Sequence, residues 1–340
     1  MAASSLFIPP EWAPQRALWC GWPHLREEWG SAFEPARREI AELIRVASRF
    51  QPVRVACGSQ EAEAAARAAV GPGAASVRFV RVPTGDIWLR DTGPIMAEQG
   101  TQLVALDFRF NGWGGKYIMP GDTETASAIA AKEGISVRQH AFVLEGGAID
   151  MDGAGRLITT RQCLLNANRN PGCDESMVEE VLRTQLGVDE VVWLDQGLDH
   201  DHTDGHIDNL ARFVGPGHVL CQTPSGREDV QAARLEAAEA QLRAAGLMVS
   251  TLPSPGRILN ADGEDLPASH MNFTVINGAV LLPVYEAEFA PQAIARLQAL
   301  FPRHEVIAVG AQAILSGGGS VHCMTREIPH IDHMVSGHIA

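Results

Sequence analysis

The chain has 340 residues, of which 46% are hydrophobic, 20% are charged and 33 are glycine, a composition that is typical of a globular, turn-rich protein and excludes a disordered one. Its formal net charge of −14 disfavours a nucleic-acid partner and suits a small cationic one. No apolar run approaches the roughly 20 residues of a membrane span, and the N-terminus lacks a signal-peptide pattern, so we expect a cytoplasmic protein without membrane contact.

The N-terminal part of the chain alternates predicted strands and helices. The segment "RALWCGW" (16–22) is predicted as a strand, and a helix follows near 34–49. After it come the strand "PVRVAC", an alanine-rich helix and the strand "VRFVRV".

From residue 93 onward one unit recurs four times: two strands around a turn, then a helix and a further strand. The four hairpins are predicted at 93–110, 147–163, 209–223 and 272–285. The helices that follow lie near 123–133, 174–186, 228–245 and 289–300, and the closing strands are "ISVRQHA", "EVVWL", "LMVSTL" and "HEVIAVG".

A fifth unit requires both ends of the chain, because its hairpin strands must come from "RALWCGW" and "SVHCMTR". Dividing 340 residues by five gives about 68 per module. We therefore predict a single α/β domain over 1–340, built as a pseudo-symmetric propeller of five hairpin-helix-strand modules and closed by both chain termini.

Chemically reactive side chains precede the first strand of each predicted hairpin. In chain order they are Asp91, Glu145, His206 with Asp208, His270 with Asn272, and Cys323. Equivalent positions in a ring converge on its axis, so we expect these side chains to meet. The glycines of "GGGSVHC" let the backbone bend toward that axis and let a substrate pack beside the cysteine nucleophile.

Taken singly, each of these residues also has a purely structural interpretation. Asp91 suits a surface ion pair with Arg90, Glu145 suits a turn, and the "HID" segment suits a hydrogen bond at a strand edge. Cys323 suits the core, where free cysteines are common.

A metal site is the main alternative for the stretch "LDHDHTDGHID" (198–208), which holds three histidines and four aspartates. These residue types bind manganese or zinc, and metal-dependent ureohydrolases release urea from guanidines. The sequence offers no second carboxylate-rich motif, and this interpretation leaves Cys323 without a role. The six cysteines form no C-x-x-C pair, so neither a disulfide framework nor structural zinc is expected.

Six motifs in order, "DIWLRDTGP", "FNGWGGKY", "LEGG", "LLNANRNP", "TDGHIDN" and "GGGSVHC", resemble the agmatine deiminase and bacterial peptidyl-arginine deiminase family of the guanidine-modifying superfamily. The resemblance covers about 240 residues and implies the five-module propeller, or pentein, fold. It also implies hydrolysis of a guanidinium group to a ureido group and ammonia through a covalent thiouronium intermediate, without metal or organic cofactor.

The resemblance assigns a role to each reactive residue. Asp91 and Asp208 are expected to clamp the guanidinium nitrogens, because a planar fork of donors matches carboxylates. Glu145 is expected to hold His206 in its protonated form. Cys323 attacks as a thiolate, and His206 protonates the departing ammonia and then activates water.

The resemblance defines the reaction more closely than the substrate, and agmatine, which would yield N-carbamoylputrescine in polyamine metabolism, is favoured by whole-chain resemblance. Arginine, peptidyl arginine, an amidinotransferase reaction and a silent binding protein are the alternatives. Agmatine-specific relatives carry an acid where this chain has His202, and many carry an aromatic residue where it has Gly121. The residues expected to contact the substrate are Asp86, Trp88, His202, Asp204, Gly318 and Gly319. The family also implies a homodimer.

Overall fold

A computed structural model describes residues 6–226, 228–260, 262–285 and 288–331. No helix in these ranges is long and apolar enough to cross a membrane. The strands are β1 (Leu6–Phe7), β2 (Gln15–Gly21), β3 (Val53–Cys57), β4 (Val77–Arg81), β5 (Ile95–Gln99), β6 (Gln102–Arg109), β7 (Ser136–Val143), β8 (Ile149–Met151), β9 (Arg156–Thr160), β10 (Glu190–Leu194), β11 (Ala211–Gly215), β12 (His218–Thr223), β13 (Met248–Pro253), β14 (Thr274–Ile276), β15 (Ala279–Val284), β16 (Glu305–Gly310) and β17 (Thr325–Pro329).

Helices connect these strands. They are α1 (Arg26–Trp29), α2 (Phe33–Ala47), α3 (Gln60–Val70), α4 (Leu89–Thr92), α5 (Gly112–Gly115), α6 (Asp122–Glu133), α7 (Arg161–Leu164), α8 (Glu175–Leu186), α9 (Ala232–Ala244), α10 (Ala290–Leu300) and α11 (Gln312–Leu315), with 3₁₀ turns at Gly30–Ala32, Gly146–Ala148 and Ile207–Asn209.

The described strands form five sheets, in the orders β1-β5-β6-β7, β10-β9-β8, β11-β12-β13, β14-β15-β16 and β17-β2-β3-β4. In each of the four internal units an antiparallel hairpin is followed by a helix and a strand parallel to the hairpin's second strand. The predicted mixed α/β class and the order of elements in these units are confirmed. In the remaining sheet β17 runs antiparallel to β2.

Local sequence explains the helices. In α2 the buried residues recur at helical spacing, from Phe33 through Ile40 and Ile44 to Ala47, so one face packs on the sheet. In α8 the side chain of Asp174 caps the N-terminus by accepting from the backbone N–H of Met177.

The predicted strand "SVHCMTR" is wrong over its first half. The segment 320–324 forms a turn, in which Met324 N–H donates to the carbonyl of Ser320 and Thr325 N–H donates to that of His322. The strand begins only at Thr325. Cys323 therefore lies just before the strand, in a turn whose position is set by hydrogen bonds rather than by sheet alternation.

Candidate active site

The five side chains predicted to be catalytic, Asp91, Glu145, His206, Asp208 and Cys323, are all buried, and none is more than 6% exposed. Each lies on a segment that leads into the first strand of a hairpin, as the sequence predicts. Burial of four ionisable groups and a thiol is costly unless partners or a ligand compensate it. Their contacts therefore indicate what the site is built to hold.

Gly147 marks the point where three of these side chains meet. A methyl group at Gly147 would lie 2.6 Å from Nδ1 of His206, 2.9 Å from Oδ1 of Asp91 and 3.1 Å from Oδ2 of Asp208. The position consequently excludes any larger residue. The sequence signalled only a turn in "LEGG", because spacing gives no information on what packs against a glycine.

Asp91 is held by hydrogen bonds on both carboxylate oxygens. The backbone N–H of Gly147 donates to Oδ1 at 2.9 Å, and the indole Nε1 of Trp113 donates to Oδ2 at 2.9 Å. The neighbouring Arg90 instead forms an ion pair with Glu327 at 2.8 Å. The interpretation of Asp91 as half of a surface ion pair with Arg90 is therefore wrong. Asp91 is a fixed, buried carboxylate.

Cys323 is positioned by Asn272. The amide Nδ2 of Asn272 lies 3.1 Å from Sγ, and its Oδ1 accepts from the backbone N–H groups of His322 and Cys323 at 2.8 and 3.3 Å. The thiol also lies 3.8 Å from Oδ2 of Asp208. Burial, followed by the charges of Asp208 and Asp91, raises the pKa of the Cys323 thiol well above its ordinary value. The nucleophile is therefore protonated while no cation occupies the pocket.

His206 is fully buried with its Nδ1 3.8 Å from Oδ2 of Asp91. Burial alone lowers the pKa of His206, but the charge of Asp91, the thiol of Cys163 and the charge of Glu145 outweigh it and raise that pKa well above its ordinary value. The imidazole is therefore protonated at neutral pH. It is placed to give up a proton rather than to take one from the resting thiol.

Glu145 forms a buried ion pair with Arg169, whose Nε donates to Oε1 at 2.6 Å. Within the described residues, Glu145, Cys163 and His206 are the group whose possible metal-ligand atoms lie together, within 4.8 Å of one another. Arg169 already supplies a cation there, which disfavours a metal. The histidine-rich stretch 198–208 contributes only His206 to this group, so its donors do not converge as a metal site would require.

Three buried groups of the site have polar atoms without a hydrogen-bond partner among the described residues. These atoms are Oδ1 of Asp208, Oε2 of Glu145 and both ring nitrogens of His206. An unsatisfied buried polar group costs about 1 to 3 kcal/mol. Two of these atoms are carboxylate oxygens, which can only accept, so a ligand with hydrogen-bond donors suits them.

A pocket of about 200 Å³ leads to Cys323 and Asp91. One wall is a stack of Trp29 on Trp88, with ring centroids 5.9 Å apart. The glycine run lies against this stack: an added methyl group would lie 2.5 Å from the ring of Trp29 at Gly317 and 2.6 Å from the ring of Trp88 at Gly319. Gly318 has φ +105°, a conformation that favours glycine. Packing and backbone geometry thus account for all three glycines.

The opposite wall runs from Trp113 through Tyr117 to His202, with successive ring centroids 6.1 Å apart. The hydroxyl of Tyr117 lies 3.3 Å from Nδ1 of His202. His202 lines the pocket, as predicted from the sequence. Gly121 has φ +99° and an added methyl group would lie 2.7 Å from the backbone nitrogen of Thr84, so an aromatic side chain does not fit there.

Five of the six predicted substrate contacts line the pocket, and Asp204 does not; the five are Asp86, Trp88, His202, Gly318 and Gly319. Asp86 is buried and accepts from Nε1 of Trp29 at 3.1 Å, and burial raises its pKa to about 7. Asp204 instead pairs with Lys116 at 2.7 Å and Arg169 at 2.5 Å. The predicted contact of Asp204 with the substrate stays a prediction, and two cations already pair with its carboxylate.

Several contacts of the site were not predicted from the sequence. Trp113 and Arg169 lie inside motifs that were recognised, but nothing in their spacing showed which carboxylate each would hold. His270 was expected at the axis with Asn272; instead its Nδ1 lies 2.8 Å from the carbonyl of Pro253, and burial lowers its pKa to about 4. His270 therefore belongs to the packing and not to the site.

Comparison with known proteins agrees with this geometry. The profile of the Porphyromonas-type peptidyl-arginine deiminase family matches 7–329 of the chain. An agmatine deiminase of Stutzerimonas stutzeri is 38% identical over 353 aligned residues that cover 95% of each chain. A Cys-to-Ser variant of the C. jejuni agmatine deiminase with substrate bound has a TM-score of 0.89 at 30% identity, covering 95% of this chain and 96% of that one. For an agmatine deiminase of Enterococcus faecalis the TM-score is 0.87 at 28% identity, with 97% and 98% covered.

Proposed function

The chain belongs to the Porphyromonas-type peptidyl-arginine deiminase family, and from this premise we propose that it hydrolyses the guanidinium group of agmatine to a ureido group with release of ammonia. The observation that carries the proposal is the buried thiol of Cys323 at 3.8 Å from Asp208, in a pocket that Asp91 also lines. The two carboxylates face the place where a guanidinium carbon must lie for attack. Their charge suits a delocalised cation.

A bound guanidinium group supplies the site with N–H donors and a positive charge. Oδ1 of Asp208 has no protein partner among the described residues, so it is free to accept from a substrate N–H. A cation between Asp91 and Asp208 also cancels the two charges that, after burial, raise the pKa of the Cys323 thiol. Substrate binding therefore favours the thiolate, and the nucleophile is activated only when its target is present.

The proton balance then follows from the protonated state of His206. The thiolate attacks the guanidinium carbon, and His206 gives its proton to the amine that leaves as ammonia, which creates the thiouronium. Water then attacks the thiouronium carbon and gives one proton to His206. The C–S bond breaks to free the thiolate, and the second water proton passes to the released ammonia as the ureido carbonyl forms. Overall one guanidinium and one water become one ureido group and one ammonium ion.

The test measures ammonia and urea after incubation with agmatine, arginine, a peptidyl arginine and a methylated guanidine, with and without EDTA and an acceptor amine. Ammonia from agmatine that persists in EDTA supports the proposal. Urea release that depends on Mn²⁺ would replace it with a ureohydrolase, and consumption that requires the amine would replace it with an amidinotransferase. No consumption of any guanidine would indicate a silent binding protein.

Asp91→Asn and Asp208→Asn are each expected to lower kcat/KM for agmatine by roughly 10- to 150-fold, because a charge-assisted hydrogen bond is worth about 1.5 to 3 kcal/mol. Both substitutions keep the shape and remove one negative charge from the guanidinium site. Steady-state ammonia release measures the effect, and the exposed Asp195→Asn serves as the matched control. Unchanged kcat/KM in both variants would contradict the proposed clamp.

The far end of agmatine carries an ammonium group, and we assign its contact to Asp86. The acids near His202 are occupied, since Asp199 pairs with Arg234 at 2.7 Å and Asp201 accepts from the hydroxyl of Thr203 at 2.6 Å. Asp86 lines the pocket beside the faces of two tryptophans, which also attract cations. The carboxylate that a tail ammonium requires therefore lies on the tryptophan wall and not at His202.

Asp86→Asn is expected to lower the ratio of kcat/KM for agmatine to that for butylguanidine by about tenfold. Butylguanidine lacks the ammonium group, so the ratio isolates the tail from the chemistry at Cys323. Because the pKa of Asp86 is about 7, the wild-type ratio is expected to rise as the pH rises through that value, and the ratio of the variant is expected to stay flat. A pH-independent wild-type ratio would remove Asp86 from the tail site.

His202→Glu is the companion variant, and its measurement is the ratio of kcat/KM for agmatine to that for arginine. A second carboxylate in the pocket is expected to raise the preference for agmatine over arginine, because it attracts the ammonium group and repels the α-carboxylate. An unchanged preference would mean that His202 lies beyond the reach of the tail.

The proposal includes the architecture predicted from the sequence, one catalytic domain over 1–340 in which five modules form a closed ring. It is supported by the five sheets and by the pairing of β17 with β2. The homodimer is proposed from family resemblance alone. A reducing, cytoplasmic location is supported by the six cysteines, all of which are free thiols.

A further inference from the structure

A cluster of charged side chains lies next to His322, the residue before Cys323, and none of its members lines the substrate pocket. Its centre is Glu11, from the turn between β1 and β2. Oε2 of Glu11 accepts from Arg212 at 2.5 Å, and Oε1 accepts from the backbone N–H of Val275 at 2.7 Å. Arg90 lies 3.7 Å from the same carboxylate. Two guanidinium groups and a backbone donor therefore fix Glu11 in place.

His322, the residue before the nucleophile, connects this cluster to the guanidinium clamp. Its Nε2 lies 2.8 Å from Oε2 of Glu11, and its Nδ1 lies 2.7 Å from Oδ2 of Asp208. Both partners are carboxylates, so two contacts at these distances require a proton in each. Burial, followed by the charges of Arg212 and Arg90, lowers the pKa of His322. The two contacts hold the ring between the carboxylates of Glu11 and Asp208.

Because of the contact with His322, the two carboxylate oxygens of Asp208 differ in their hydrogen bonding. Oδ2 is engaged by the imidazole, whereas Oδ1 is buried without a partner among the described residues. A carboxylate that can rotate would offer either oxygen, and would lose rotational freedom each time a substrate binds. Fixing Oδ2 from behind presents Oδ1 in one orientation before the substrate arrives.

We propose that His322 is a positioning residue, which holds Asp208 through Nδ1 while Glu11 anchors it through Nε2. The proposal rests on the proposed function for the identity of the ligand at Asp208. It does not require His322 to touch the substrate, because His322 does not line the substrate pocket. Under this proposal, guanidinium binding also depends on Glu11, which lies in the turn between β1 and β2.

Two isosteric substitutions separate the two contacts. In His322→Asn the amide nitrogen replaces Nδ1 and keeps a donor for Asp208 but loses Glu11. In His322→Gln the amide nitrogen replaces Nε2 and keeps a donor for Glu11 but leaves Asp208 without one. A residue with only a structural role would be affected by the two changes in the same way, so their difference reports positioning.

We expect His322→Gln to lower kcat/KM for agmatine by roughly 10- to 150-fold and His322→Asn to lower it by less than about tenfold. Thermal unfolding of both variants controls for stability. Equal losses in the two variants would overturn the proposal, as would equal retention. Absence of wild-type activity would instead contradict the proposed function.

A structural readout keeps the test independent of activity. In crystal structures of the two variants, Asp208 is expected to keep its wild-type side-chain rotamer in His322→Asn, where the amide still donates to Oδ2. It is expected to leave that rotamer in His322→Gln, where Oδ2 has lost its donor. An unchanged Asp208 in both crystal structures would show that His322 does not position it, whatever the enzyme turns over.

Discussion

Cys323→Ser is expected to reduce kcat for agmatine by several orders of magnitude while the fold is retained. The hydroxyl of serine is barely ionised in a site that stabilises a thiolate only when a cation is bound. Asn272 can still hydrogen bond the shorter side chain, because its amide lies 3.1 Å from the sulfur that is replaced. Ammonia release under saturating agmatine measures the loss, and the far-ultraviolet circular dichroism of the variant checks the fold.

Cys173→Ser is the matched control, since this half-buried thiol is free and lies outside the pocket. It should retain wild-type kcat. The Cys323→Ser variant should still bind agmatine, because both carboxylates of the clamp remain, and calorimetric titration can show this. Turnover by Cys323→Ser at a rate near that of the wild type would end the covalent mechanism.

Much of the fold was predictable because its elements have clear periodicity and clear ends. The run "EVVWL" coincides with β10, and the amphipathic stretch predicted near 289–300 is α10 (Ala290–Leu300). The first turn of α10 also contains a proline, which local rules favour there. The segment around Cys323 failed those rules, because its turn depends on the distant Asn272, which no local pattern reveals.

The sequence predicted which residues form the site but not which of them contact each other. Repetition along the chain placed reactive side chains before each hairpin, and that was enough to bring Asp91, His206 and Asp208 together. It did not show that Gly147 provides the space between them, or that Glu11 reaches His322 from the other end of the chain at 2.8 Å. Such contacts arise from how modules pack, and sequence spacing within one module carries no information about them.

The charges of the site support the proposed activation of Cys323 by its own substrate. Without a cation, burial and two carboxylates keep the thiol of Cys323 protonated, which also protects it from oxidation. The charge of Asp91, together with Cys163 and Glu145, raises the pKa of His206 and keeps it protonated. Acid and nucleophile are therefore both in the protonated form at rest. A guanidinium cation offsets the charge of Asp91 for both groups, whereas Cys163 and Glu145, which do not line the pocket, continue to raise the pKa of His206.

His206→Asn is expected to lower kcat for agmatine by about 10² to 10⁴-fold, the usual contribution of a general acid and base. Asparagine fits the space beside Gly147 but can neither give a proton to departing ammonia nor take one from water. The proton on His206 must be present for ammonia to leave, so wild-type kcat should fall as the pH rises through the raised pKa of His206.

The variant should lack this decline at high pH, because asparagine has no proton to lose, and the comparison separates a chemical role from a structural one. The matched control is His304→Asn, at a histidine that packs on Phe301 and lies outside the pocket. If His206→Asn kept both the wild-type rate and the decline at high pH, another group would have to carry the proton. Glu145 would then be the first candidate, since its Oε2 is buried without a partner among the described residues and Arg169 holds only its other oxygen.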